Sequence, residues 1–154
     1  MSFEKLNIRP EIVKALKEIG ISKPTEIQEK TIPLIHSGKD VIGHSKTGSG
    51  KTAAFGVPIL EKLDSGKGLQ ALILAPTREL AVQIAGEMHK FGKYMHFSIA
   101  TVYGGVALEP QIHKIARADI VVATPGRLLD HLERRNINLS RIRFFVLDGA
   151  DKMV

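Results

Sequence analysis

The 154 residues leave room for one domain with its own core and too little for two of ordinary size. With 44% hydrophobic and 25% charged residues, no cysteine and no apolar run near the roughly 20 residues of a membrane helix, the composition excludes disorder, a disulfide scaffold, thiolate zinc and a membrane-spanning helix. The net charge of +6 favours a polyanionic partner such as nucleic acid, although a solvated basic surface accounts for charge alone equally well.

The opening stretch MSFEKLNIRP carries no apolar secretory segment, so a cytoplasmic location is expected. Ile12, Val13, Leu16 and Ile19 share one face of a helix over 10–19, with Pro10 suited to its first turn and Gly20 to its end. Thr25, after Pro24, opens a second helix that Pro33 limits or kinks. Short apolar runs then alternate with helical stretches. Strands are expected at 41–43, 71–75, 97–102, 120–123 and 144–147, and helices near 51–63, 78–91, 109–116 and 127–134. This alternation predicts an α/β fold in which a mostly parallel sheet, its strands buried on both faces, lies between two helix layers. Right-handed crossovers place every strand-to-helix loop along one carboxyl edge of that sheet.

The loops so placed are small, Gly-rich or charged. The first runs from His44 through Ser45, Lys46, Thr47, Gly48, Ser49 and Gly50 to Lys51 and Thr52. Its glycines let backbone N–H groups turn inward around phosphate oxygens, and the following helix adds its positive end. Lys51 is then placed for the β and γ phosphates and the Thr52 hydroxyl for Mg²⁺. The strict phosphate-loop pattern has glycine where this chain has Ser45. Further loops carry Pro76-Thr77-Arg78, Tyr103-Gly104-Gly105 and Thr124-Pro125-Gly126-Arg127. Asp148 ends the last apolar run, either as a helix cap or as a second oxygen ligand for Mg²⁺; beside a phosphate loop the metal role is the better reading. The six histidines never adopt the H-E-x-x-H spacing, so any metal is expected to be held by oxygen.

In order, the chain shows Phe3; then Gly20 to Gln28 (GISKPTEIQ); Ser45 to Thr52; Pro76-Thr77-Arg78-Glu79-Leu80-Ala81; Gly104-Gly105; Thr124-Pro125-Gly126-Arg127; and Asp148-Gly149-Ala150-Asp151. From Phe3 to its last residue it resembles the first RecA-like domain of the DEAD-box ATP-dependent RNA helicases. The resemblance implies a three-layer RecA-like P-loop NTPase domain over 1–154, incomplete at its C-terminal end, with an adenine-pocket segment within 1–28. It implies ATP and Mg²⁺ as cofactors. Phe3 would stack on the base and Gln28 hydrogen-bond its edge, with Lys23 and the 45–52 loop completing the nucleotide-binding positions. On residues alone, a capping box with Thr25 explains Gln28, and a core anchor explains Phe3. The resemblance also implies that the 76–78, 104–105 and 124–127 loops hold the RNA sugar-phosphate backbone, which their helix N-termini, glycine amides and arginines suit. Plain turn chemistry at Pro125-Gly126, and pairing of Arg78 or Arg127 with nearby carboxylates, stand beside that reading.

Two departures bear on activity. Where the family has the glutamate that positions and helps deprotonate the attacking water, this chain has Gly149, so ATP binding with impaired hydrolysis is expected. The chain also stops at Val154, before the Ser-Ala-Thr block that in the family meets Asp151 and before a second RecA-like domain with its arginine fingers. Unwinding by this piece alone is not expected, and a missing strand would favour marginal stability or self-association. A nucleotide-dependent RNA or protein clamp is the alternative that Gly149 favours. A small P-loop phosphotransferase is a second, which the five other blocks argue against.

Overall fold

The computed structural model describes residues 8–21 and 51–148, which fall into two compact units. The first holds 8–21, 51–63 and 86–96, and the second holds 64–85 and 97–148. The strand expected at 41–43 and the helix opening at Thr25 lie outside the described residues.

In the first unit, helix α1 (Pro10–Glu18) starts with proline at its first helical position and buries Ile12, Val13, Ala15 and Leu16. It ends one residue before the expected Ile19, because Gly20 takes φ +86° and turns the chain back. The N–H groups of Gly20 and Ile21 then bond the carbonyls of Lys17 (3.1 Å) and Leu16 (2.8 Å), satisfying acceptors the helix end leaves open. Helix α2 (Lys51–Lys62) is apolar around most of its circumference, and Ala53 through Phe55, Val57, Ile59 and Leu60 are buried. Arg9 ties the two helices: its backbone N–H donates to the Glu61 carboxylate at 2.6 Å, and its guanidinium bonds the Glu61 and Leu63 carbonyls. A cation at the end of α2 also opposes that helix's negative pole. Helix α3 (Arg78–Phe91) begins in the second unit and ends in the first, where Gly56 of α2 packs so closely that a Cβ there would meet Met88 Sδ at 2.5 Å.

In the second unit, four parallel strands, β1 (Ala71–Leu74), β2 (Ile99–Val102), β3 (Ile120–Ala123) and β4 (Phe144–Leu147), form a sheet in the order β2-β3-β1-β4. Leu72 pairs with Val121 on one side and Phe145 on the other, and Val121 pairs with Ala100, so these residues share a face. Helices α4 (Leu108–Arg117) and α5 (Pro125–Glu133) contribute Ile115 and Leu128 to the core over that face, with Leu72, Ala100, Val102, Val121 and Ala123 beneath.

The strand positions agree with the periodicity, but several ends move. The second strand begins at Ile99 rather than 97, and α5 begins at Pro125 rather than 127 because proline's fixed φ suits a first turn. Burial on both faces holds for β1 and β3; at the flanks β2 alternates and Phe145 of β4 is 42% exposed. At the amino edge the buried Asp119 carboxylate accepts the N–H groups of Gly66 and Ser98, each at 2.9 Å, and so ties the chain entering β1 to the chain entering β2. No helix among the described residues is long and apolar enough to cross a membrane.

Candidate nucleic-acid and nucleotide site

Because β1 to β4 are parallel, the segments leaving them emerge at one edge. After β1 come Pro76, Thr77 and Arg78. The Thr77 hydroxyl accepts the Leu80 N–H at 3.2 Å and caps α3, leaving Arg78 exposed on its first turn. After β2 come Tyr103 and the exposed Gly104 and Gly105. A Cβ at either glycine would meet nothing within 4 Å, so neither is kept small by packing. Gly105 is needed for its backbone, at φ +82°. After β3, Thr124 stands at the N-cap of α5 but its hydroxyl makes no cap bond; Pro125 opens the helix and Gly126 is exposed. After β4, Asp148 is 2% exposed and its N–H bonds the Leu74 carbonyl at 2.9 Å, which extends the β1–β4 pairing to the carboxylate.

The loops are joined to one another. The Arg78 guanidinium lies over the Tyr103 ring, 4.7 Å from its centroid. Arg127 turns inward with its side chain 11% exposed, and Nη1 donates to the Val106 carbonyl (2.9 Å) and to Gln111 Oε1 (3.2 Å). Its Nε stands 3.6 Å from Asp130, so the pairing with a nearby carboxylate is present, as an i, i+3 contact on α5. Gln111 Nε2 donates to the Tyr103 carbonyl at 2.9 Å, and Oε1 also meets His131 Nε2 at 2.9 Å. Asn136 Nδ2 meets His131 Nδ1 at 3.2 Å. Burial pushes the His131 pKa below its ordinary value; the Arg127 and Arg134 cations act in the same sense and Asp130 opposes them.

The structure thus brings Pro76, Thr77, Arg78, Gly104, Gly105, Thr124, Pro125, Gly126, Arg127 and Asp148 to one sheet edge in the second unit. Lys51 and Thr52 open α2 in the first unit. Phe3, Lys23, Gln28, Ser45 to Gly50, Gly149 and Asp151 lie outside the described residues. Sequence reasoning did not single out Gln111 and His131. Their signal is polar residues at core-facing positions: Gln111 stands four before buried Ile115 on α4, and His131 three after buried Leu128 on α5.

No cluster of three or more His, Cys, Asp or Glu able to hold a metal occurs among the described residues. A single buried carboxylate suits Mg²⁺, which takes few protein ligands and completes its shell with phosphate oxygens and water.

A family model described as DEAD/DEAH box helicase matches residues 25–154. The chain is 46% identical over 156 residues, all of its own length, to an ATP-dependent RNA helicase named CshA from Limosilactobacillus reuteri, and covers 31% of that protein. A solved structure of a DEAD box protein from the hyperthermophile Methanococcus jannaschii superposes with a TM-score of 0.95 at 44% identity, over 99% of this chain and 42% of the other. One of a hypothetical ATP-dependent RNA helicase from Sulfolobus tokodaii gives 0.86 at 46% identity, over 95% of this chain and 43% of that one. The chain thus spans well under half of the relatives it matches. With its parallel sheet, its ordered loop blocks and these likenesses over nearly its whole length, the chain belongs to the DEAD/DEAH box helicase family.

Proposed function

We propose that this chain is the ATP- and RNA-binding domain of an ATP-dependent DEAD-box RNA helicase, which in a full-length protein works against a second RecA-like domain. The observation that carries the reading is the row of loops 76–78, 104–105 and 124–127, with Asp148 beside them, at the carboxyl ends of adjacent parallel strands. The RNA is held by its sugar-phosphate backbone, through helix N-termini, glycine amides and Arg78, so recognition carries little base information. ATP is gripped by the phosphate loop ending at Lys51 and Thr52, with Phe3, Lys23 and Gln28 around the adenine. Asp148 is the carboxylate offered to magnesium, which when bound neutralises charge developing on the phosphates. Asp151 is carried over as a residue of the same catalytic block.

With Gly149 in the place of the water-positioning glutamate, ATP is bound and hydrolysed poorly. That residue favours a second reading, a nucleotide-dependent clamp on RNA. Titrating Mg-ATP together with single-stranded oligo-uridine, while measuring phosphate release, separates the two readings. Coupled binding without release supports the clamp, slow RNA-stimulated release supports the impaired helicase, and transfer of phosphate to a small acceptor refutes both. Calorimetry with Mg-ATP in which no heat is lost on Lys51→Ala removes the nucleotide reading. A cytoplasmic location goes with this function. Self-association is also part of the proposal, supported by Phe145 at 42% exposure on β4; sedimentation showing a stable monomer across concentrations counts against it.

A further inference from the structure

We propose that Gln111 is a positioning residue for RNA binding: its one buried amide, with Arg127 and His131, sets the spacing of the loops at the carboxyl edge. The inference rests on reading those loops as the RNA-backbone surface. Its geometry is closed by chemistry. A guanidinium can only donate, so the Gln111 atom that Arg127 reaches must be Oε1, and the atom that meets the Tyr103 carbonyl must be Nε2. An amide flip would break both bonds at once. With Oε1 an acceptor, His131 must carry its proton on Nε2, which leaves Nδ1 bare to accept from Asn136. Every polar atom of the Gln111 side chain is thereby assigned, and the residue is only 5% exposed.

The consequence falls on the glycine loop. Gln111 holds the carbonyl of Tyr103, immediately before Gly104, and Arg127 holds the carbonyl of Val106, immediately after Gly105. Both ends are clamped while the two glycines between stay exposed. Two glycines are the costliest residues to order, so fixing their flanks removes entropy that RNA binding would otherwise have to overcome. Because Arg127 comes from the 124–127 loop and Arg78 stacks on Tyr103, the same chain of contacts registers all three loops against one another. Arg127 is accordingly a strut between loops, with its cation directed at the glycine loop's carbonyl rather than at phosphate.

The test uses the chain as it stands and oligo-uridine as the probe. Gln111→Met keeps length and volume and removes every hydrogen bond. If the clamped conformer falls to about a tenth of its population, affinity falls about ten-fold. Amide exchange at 103–106 should quicken, and the salt dependence of binding should not change. Ile115→Val, a core change on the same helix, is the control: at a matched loss of melting temperature it should leave oligo-uridine affinity and loop exchange alone. Arg127→Ala is the second variant, carrying the test should Gln111→Met not fold. A strut predicts weaker binding with an unaltered salt slope, whereas a phosphate contact predicts a slope shallower by about 0.7.

Unchanged affinity and loop exchange in folded Gln111→Met, an Ile115→Val control that loses affinity equally, or the shallower slope in Arg127→Ala each overturn the proposal. Failure of the unaltered chain to bind oligo-uridine at all would instead overturn the RNA reading. Loop exchange in Gln111→Met would then still report whether the clamp exists.

Discussion

Acidification is the perturbation that addresses the buried network most directly, because His131 is enclosed as a neutral ring. It is 0% exposed, donates through Nε2 to Gln111 and accepts at Nδ1 from Asn136, and its pKa is lowered by burial and by the Arg127 and Arg134 cations. A proton on Nδ1 would face an amide donor beside two positive charges. In the unfolded chain the same ring titrates at about 6.5. The folded pKa lies below the unfolded one, so the neutral ring's contribution is intact above pH 6.5. It is lost progressively as pH falls through the folded value, because the unfolded state takes up the proton first. While the folded ring stays neutral, each pH unit below 6.5 costs at most about 1.4 kcal/mol of stability. Urea unfolding from pH 7.5 to 5.0 measures it. His131→Gln keeps a donor for Gln111 but has nothing to titrate, and its stability relative to the unaltered chain should rise as pH falls below 6.5, by at most about 1.4 kcal/mol per pH unit. Parallel stability curves for the two proteins would refute the assignment of a buried neutral histidine.

The amino edge makes a separate prediction: Asp119→Ala strands the Gly66 and Ser98 N–H groups and should destabilise by about 3 kcal/mol, read from the urea midpoint. A loss under about 1 kcal/mol would mean that water replaces the carboxylate there. Within the glycine loop, Gly105→Ala should cost about 1–2 kcal/mol because an L side chain is strained at positive φ, whereas Gly104→Ala should stay within about 0.5 kcal/mol. Equal thermal shifts for the two would show that φ +82° is not required in solution. Gly149→Glu, joined to a second RecA-like domain, should raise steady-state ATP turnover by about 10² to 10⁴, and equal rates would refute a missing base at that position.

The strands and their loops were legible because local pattern carries them. Runs such as Ile120–Ala123 and Phe144–Leu147 are too short for helices and too apolar for turns, and Pro10 and Gly20 mark a start and a stop by backbone chemistry alone. Burial within β4 was less legible, since Phe144 and Phe145 carry the same composition signal yet are 8% and 42% exposed. The direction of Arg127 was legible only in part: pairing with a nearby carboxylate was expected and Asp130 supplies it, but the reach across to another loop was not. The resemblance implies a phosphate-holding role for the 124–127 loop, whereas the hydrogen-bond acceptors of Arg127 in the structure, Val106 and Gln111, are 21 and 16 residues away in sequence. Gln111 and His131 were hidden by the same effect: a polar residue on an apolar stripe acquires its meaning from partners on another element.

Strand order also separates two chemistries along one edge. The spatial sequence β2-β3-β1-β4 places the loops as 104–105, then 124–127, then 76–78, then Asp148, an order the chain itself does not have. With about 4.8 Å between neighbouring strands, the first three span about 10 Å. These three offer glycine amides, helix N-termini and the exposed Arg78, all of which favour anions, and the fourth offers a buried carboxylate, which favours a cation. Arg78 therefore stands where the two regions meet: its helix begins at the end of β1, the strand that pairs with β4 on one side and with β3 on the other.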